Sequence, residues 1–233
     1  MPKLSIICSI FMSSEIVRRQ ILHFQKMNLS DDVEFIFVDD GSEPPLTGEM
    51  KNLTFYQTGN KLAWTQGLGR NLGASKAKGE YLFMTDIDHI ISKEAIEDAL
   101  KFTGNKMIFH RQIAVLDENG DLKQDQETLK EWDYEGDLNA SFHGNTFVIK
   151  KSIFDELGGY DPKSCSWGYH PATRRGDDCF FNSKWNHKFV GEKAEIGRDI
   201  FMFPVGRYNS KGDLNPKNLF HSLSQTKQES FNK

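Results

Sequence analysis

Two aspartates one residue apart, Asp86 and Asp88 in Thr85-Asp86-Ile87-Asp88-His89, follow the apolar run Tyr81-Leu82-Phe83-Met84-Thr85. Acids at the C-terminal end of a buried strand lie where open α/β sheets bind ligands. Spaced this way, the two carboxylates converge on one hard cation that keeps positions open for phosphate oxygens. The competing reading is that they cap the following helix, since Asp is favoured there. A second acid pair, Asp39-Asp40, ends another apolar run at Val38. Acid pairs at two strand ends are hard to ascribe to capping alone.

The elements that must position these acids read in order along the chain. Leu4 to Ile10 is a first strand, and Ser13 or Ser14 caps a helix carrying Val17, Ile21 and Phe24 at helical spacing. Val33 to Val38 is the next strand, so strand, helix and strand make a right-handed parallel crossover. Glu43-Pro44-Pro45 ends that strand's path, and Leu53 to Thr58 is a third strand. A helix over Thr65 to Ala77 follows, with Leu68, Leu72 and Ala77 inward and Gly79 as its stop. Gly67, Gly69 and Gly73 imitate a dinucleotide fingerprint, but the last is one residue late and the set precedes the strand. They read instead as close helix-to-sheet packing, with Arg70 and Lys76 as positive charge near the acids or near phosphates.

Beyond the acids, Ser92 to Phe102 reads as a helix, Lys106 to His110 as a strand and Ile113 to Leu122 as a hairpin turning at Asn119-Gly120. Lys123 to Asn139 reads as a loop with at most one helical turn. Thr146 to Lys150 is a strand, and Ser152 to Leu157 a short helix closed by Gly158-Gly159. The long loop Tyr160 to Gly176 holds Trp167 and Tyr169 and reads as a binding loop. It delivers Asp177-Asp178 to the start of a helix bearing Phe181 and Trp185 one turn apart, where two acids can also serve simply as dipole partners. From Arg198 the chain reads as an aromatic and basic tail.

Bulk properties set outer bounds. With 233 residues and 38% hydrophobic content the chain has enough material for one core, hence one α/β domain. A net charge of −4 argues against nucleic acid as the main partner. No stretch reaches the ~18 apolar residues of a membrane span. Three widely spaced cysteines form no disulfide framework, so a cytoplasmic protein with reduced thiols is expected.

Taken together, the first strand ending near Phe11, Val38-Asp39-Asp40-Gly41-Ser42 and Arg70 to Asp88 resemble the nucleotide-binding half of GT-A fold, family 2 type glycosyltransferases. Thr146 to Pro162, Trp167-Gly168 and Gly176-Asp177-Asp178 resemble the galactosyltransferase-like end of that family. The resemblance implies a Rossmann-like GT-A domain with a mainly parallel central sheet flanked by helices. It divides the single domain 1-233 into a nucleotide-sugar half 1-104, an acceptor and catalytic half 105-221, and a mobile tail 222-233. It places uracil and ribose near Phe11 and Asp40 with Asp39 in support, Arg70 beside the diphosphate, and Asp86 and Asp88 on sugar, ribose and a Mn2+ or Mg2+ ion. Asp88 is then the more direct metal ligand and His221 a further one. Asp178, or Asp177 in a shifted alignment, becomes the catalytic base. This chain departs from the family by carrying Asp177 where relatives have Glu and Phe180 where they have a further acid.

The expected activity is inverting transfer from a UDP-sugar to a saccharide or other hydroxyl acceptor. Trp167 and Tyr169 offer faces to the acceptor, and Arg174 and Arg175 offer charge. Two alternatives stand beside it. A catalytically silent carbohydrate- or nucleotide-binding module would keep the fold. A sugar-1-phosphate nucleotidyltransferase would need a glycine-rich basic loop after the first strand, where Phe11-Met12-Ser13-Ser14-Glu15 has no glycine.

Overall fold

The structure is a computed structural model, and it describes residues 1–59, 65–163 and 177–204. In chain order the elements are β1 (Leu4–Ile10), α1 (Ser14–Lys26), β2 (Val33–Asp39), β3 (Leu53–Gln57), α2 (Gln66–Lys76), β4 (Tyr81–Thr85), β5 (His89–Ile90) and α3 (Lys93–Lys101). There follow β6 (Lys106–Ile113), β7 (Val115–Leu116), β8 (Leu122–Lys123), α4 (Gln126–Glu131), β9 (Asn139–Ala140), β10 (Phe147–Lys150), α5 (Lys151–Glu156), α6 (Asp177–Lys188) and β11 (Glu195–Met202).

One large sheet runs β3-β2-β1-β4-β10-β6-β11-β5, with β9 added beside β6. The strands from β3 to β4 pair in parallel, and β6 pairs with β11 in parallel. The exceptions are β10, antiparallel to both β4 and β6, and the short β5 and β9. The sheet is therefore mainly parallel, as a doubly covered α/β sheet should be. Strands β1 and β4 are buried at every residue because helices cover both faces.

Alternation along β1 sorts the two faces. Leu4, Ile6, Cys8 and Ile10 meet Val17, Ile21 and Phe24 of α1 and Ala95, Ile96 and Ala99 of α3 in one core layer. Ile7, with Ile36, Leu82 and Met84, faces α2, α5 and α6 through Ala74, Phe154, Phe181 and Trp185. On this second side α2 lies against the sheet at its glycines. A Cβ on Gly69 would come within 2.1 Å of Ser9 Oγ, and one on Gly73 within 2.5 Å of Ile7 Cγ2.

Several local expectations are corrected. The innermost positions of α2 are Gly69, Arg70, Gly73 and Ala74, while Leu68 and Leu72 are half-buried at its flanks. Ser13 holds the N-cap position of α1 in the left-handed region without capping through its side chain, and its hydroxyl donates to the Phe11 carbonyl. The stretch read as a loop from Lys123 contains α4, whose N-cap Asp125 accepts from the Thr128 amide, and leads into β9. Residues Glu195 to Met202, read partly as tail, are a strand inside the sheet. Their glycine and charges hide the alternation that pairing with β6 imposes.

Candidate functional site

Because β1, β2 and β4 are parallel, their C-terminal ends open on one rim. At the end of β1, Phe11 is buried, and Met12 and Ser13 take left-handed φ values of 54° and 60°. Non-glycine residues there are strained and need surrounding structure to hold them. The hold comes from β2's turn. The Met12 amide donates to Ser42 Oγ at 2.7 Å, and the amides of Ser42 and Leu46 donate to the two oxygens of Asp39, each at 2.9 Å. Asp40 sends its amide to the Ile10 carbonyl at 2.7 Å, and its carboxylate accepts from Thr58 Oγ1 at 2.9 Å and from Thr65 Oγ1. Both acids are 1% exposed. Phe11, Asp39 and Asp40 thus lie on one rim, with the acids bracing it.

Asp86 follows β4 on the same rim. Its Oδ1 accepts from Arg70 Nη2 and Gln66 Nε2, both sent from α2. Arg70 is 0% exposed; its Nη1 donates to Tyr160 Oη at 3.0 Å, and its ring-facing guanidinium carbon lies 5.5 Å from the Tyr160 ring centre. Burial opposes the guanidinium charge, yet Tyr160, Asp86 and Asp177 hold Arg70 protonated. Burial alone would likewise raise the Asp86 pKa. Arg70, His89, His143 and the Asn145 amide outweigh it and hold the carboxyl below its ordinary value. Arg70 therefore lies beneath Asp86, with its charge directed at that carboxylate.

With Oδ1 occupied, Asp86 turns Oδ2 toward His143, whose Nδ1 is 3.7 Å away. Asp86, His89 and His143 each offer a ligand atom, all within 4.8 Å of one another. His89 is committed: its Nδ1 is paired with Thr146 Oγ1, and its Nε2 lies 3.2 Å from Arg111 Nη1, which can only donate. Burial, with Arg111 beside it, pushes the ring down to about 4 and keeps it neutral. Asp88 is half-buried, and burial together with Asp86 pushes it up to about 6, His143 acting in the opposite sense. A divalent ion fits here. Asp86 Oδ2 and His143 would hold it, a carboxylate and an imidazole that admit Mn2+, while Asp88 lies outside this set of converging ligand atoms and feels it through charge.

The far wall is the start of α6. Asp177 is 3% exposed, and its Oδ1 accepts the Asp178 amide at 3.0 Å. Burial first, then Asp178, raises its pKa against the pull of Arg70. Asp178 is half-buried at the lip, and its Oδ1 accepts the Cys179 amide at 2.8 Å. Four buried side-chain polar atoms lack a hydrogen-bond partner among the described residues. Three of them, Arg70 Nε, Asn145 Oδ1 and Asp177 Oδ2, belong to this site. Orphaned buried polar atoms are rare enough that such clustering points to a ligand. Trp167, Tyr169, Arg174, Arg175 and His221 lie outside the described residues.

Sequence reasoning did not find Gln66, His143, Asn145 or the buried role of Tyr160. His143 and Asn145 precede β10, whose antiparallel register sets Phe147 opposite Met84, so the residues before β10 meet those after β4. Nothing in the local pattern of Ser141 to Thr146 announces that placement. Gln66 had a legible signal, since it opens the helix that also carries Arg70.

Comparison with known proteins gives the site its context. A model of the family described as glycosyltransferase like family 2 matches residues 5–170. An uncharacterized glycosyltransferase of Haemophilus influenzae is 28% identical over 156 residues, which is 64% of this chain and 60% of that protein. Crystal structures of S. aureus TarS 1-349 superpose with a TM-score of 0.54 at 14% identity, and with 0.56 at 18% identity for its complex with UDP, each covering 86% of this chain and 60% of that one. Its complex with UDP-GlcNAc gives 0.55 at 16% identity, covering 86% and 58%. This chain spans about 60% of the length of these relatives. At such identities TarS establishes the architecture, a GT-A fold, while the family match extends over most of the residues that build the rim: the chain belongs to the family 2-like glycosyltransferases.

Proposed function

We propose that this chain carries out inverting transfer of a sugar from a UDP-sugar to a hydroxyl of a saccharide-type acceptor, with a divalent cation at the end of β4. The observation that carries the proposal is the meeting of Asp86, His89 and His143 on one rim, with Asp88 near enough to feel the charge of Asp86 and His143, faced by the acid-bearing start of α6. The UDP and UDP-GlcNAc complexes of TarS supply the nucleotide class. UDP lies across the rim between Phe11 and the Asp40 brace. A cation held there supplies charge compensation for the diphosphate. Arg70 and Gln66 fix the orientation of Asp86, and the charge of Arg70 favours its ionised form.

In the transfer, the acceptor oxygen forms a bond to the anomeric carbon as the bond from that carbon to the diphosphate oxygen breaks. The electron pair leaves on UDP, and the acceptor proton passes to a carboxylate on the opposite face. Asp178 is that base, because it sits at the lip while Asp177 is enclosed beside Arg70 and holds the Asp178 amide. The neighbouring Asp177 carboxyl is the positioning group.

The test is a screen of nucleotide sugars for Mn2+-dependent UDP release, with and without simple sugar acceptors. Asp178→Asn is expected to lower kcat by about 100-fold or more with UDP-sugar affinity within a factor of a few. Normal turnover in Asp178→Asn with loss in Asp177→Asn would exchange the two roles. Full activity in both would remove this helix from the chemistry.

A further inference from the structure

A buried cation with no acid partner among the described residues stands behind the site. Lys106, the first residue of β6, is 7% exposed, and among the described residues no carboxylate lies within ion-pairing distance of its ammonium. Its Nζ donates to Asn182 Oδ1 at 2.8 Å and lies 4.9 Å and 5.2 Å from the ring centres of Phe147 and Trp185. Burial pushes its pKa down to about 8. Enclosing an ammonium with one neutral oxygen and two aromatic faces is an expensive way to build a core, where an apolar side chain would pack at no such cost.

The expense has a geometric product. By engaging Oδ1, Lys106 fixes which way the Asn182 amide faces. Asn182 Nδ2 then donates to the carbonyl of Gly144 at 3.2 Å and to the carbonyl of Asp178 at 3.0 Å. The approach is close enough that a Cβ on Gly144 would sit 2.7 Å from Nδ2. One amide thereby ties the segment carrying His143 and Asn145 to the first turn of α6, which carries Asp177 and Asp178. These are the two walls between which the acceptor oxygen must be aligned.

We propose that Lys106 and Asn182 are positioning residues for transfer, a clasp that sets the separation between the cation-binding rim and the catalytic carboxylate. The inference rests on the glycosyltransferase reading for its catalytic consequence, but the clasp itself is testable without turnover. Three variants isolate it. Lys106→Met removes the charge and keeps the packing. Asn182→Asp keeps an acceptor for Lys106 and deletes the two donated bonds. Asn182→Leu deletes both functions.

Two readouts are required. In amide hydrogen exchange, Asn182→Asp and Lys106→Met are expected to lose protection together at residues 143–146 and 178–182, while the sheet stays protected and the melting temperature of Lys106→Met is equal to or above wild type. With a donor identified, kcat is expected to fall at least about tenfold with UDP affinity unchanged, because misplacing a reacting group by about 1 Å is that costly. A lower melting temperature with unchanged local exchange would make Lys106 a stability residue and overturn the proposal. So would unchanged kcat in Asn182→Asp. If no nucleotide sugar is turned over, the functional reading falls, and coupled loss of protection still decides whether the clasp exists.

Discussion

At the scale of single residues, Asp88 shows what a cation would have to offset. Burial and then the neighbouring Asp86 push its carboxyl up to about 6 in the folded chain from an ordinary value of 3.8. Between those values the unfolded chain has released a proton that the folded chain still holds. Stability therefore falls as pH rises through that window and stays lower above it. At pH 7.5 without metal, Asp88→Asn is expected to melt above wild type. Mn2+ should raise the melting temperature of wild type, increasingly as pH climbs past about 6, and leave Asp88→Asn unmoved. UDP affinity should follow the same pattern; an equal Mn2+ response in both proteins, measured by thermal shift and titration calorimetry, would remove Asp88 from the cation site. Asp86 and Asp88 were legible in the sequence because a buried strand ending in acids is a local pattern. His143 was not, because its significance comes from a strand pairing some sixty positions away in the chain, Met84 with Phe147.

At the scale of elements, α2 is the piece that joins packing to chemistry. Its glycines let it settle against Ile7, Ser9 and Val38, and that depth is what allows Arg70 to reach under Asp86 while Gln66 reaches it from the helix start. Gly73→Val is expected to cost about 2–3 kcal/mol, since the added methyls meet Ile7 and Val38, both in full contact already. On the exposed face of the same helix, Ser75→Ala should change stability by less than about 0.5 kcal/mol. Chemical denaturation of both variants checks the pair; similar values would mean that the helix shifts freely on the sheet. The helix and its close packing were legible from glycine spacing, but its inward face was not. Apolar periodicity favoured Leu68 and Leu72, whereas the face is built from residues too small to register as hydrophobic and one arginine.

At the scale of the whole molecule, the two halves of the sheet are joined by a strand taken out of chain order. β10 sits between β4 and β6, although 61 residues separate Thr85 from Phe147 by the chain numbering. A fragment ending at residue 104 keeps β1 to β4 and their helices but leaves β4, buried at every position, as an open edge. Such an edge is a template for pairing with other chains. The 1-104 fragment is expected to associate or precipitate where the full chain does not, as read by light scattering at matched concentration. A soluble, monomeric fragment would show that the nucleotide half stands alone. The interposed strand also sets a schedule for synthesis on the ribosome. At 5–20 residues per second, several seconds pass between the emergence of β4 and that of its partner. Through that interval Asp86 and Asp88 exist without His143, and the nascent chain carries an unpaired hydrophobic edge, so chaperone demand should peak before translation reaches β10 and end soon after.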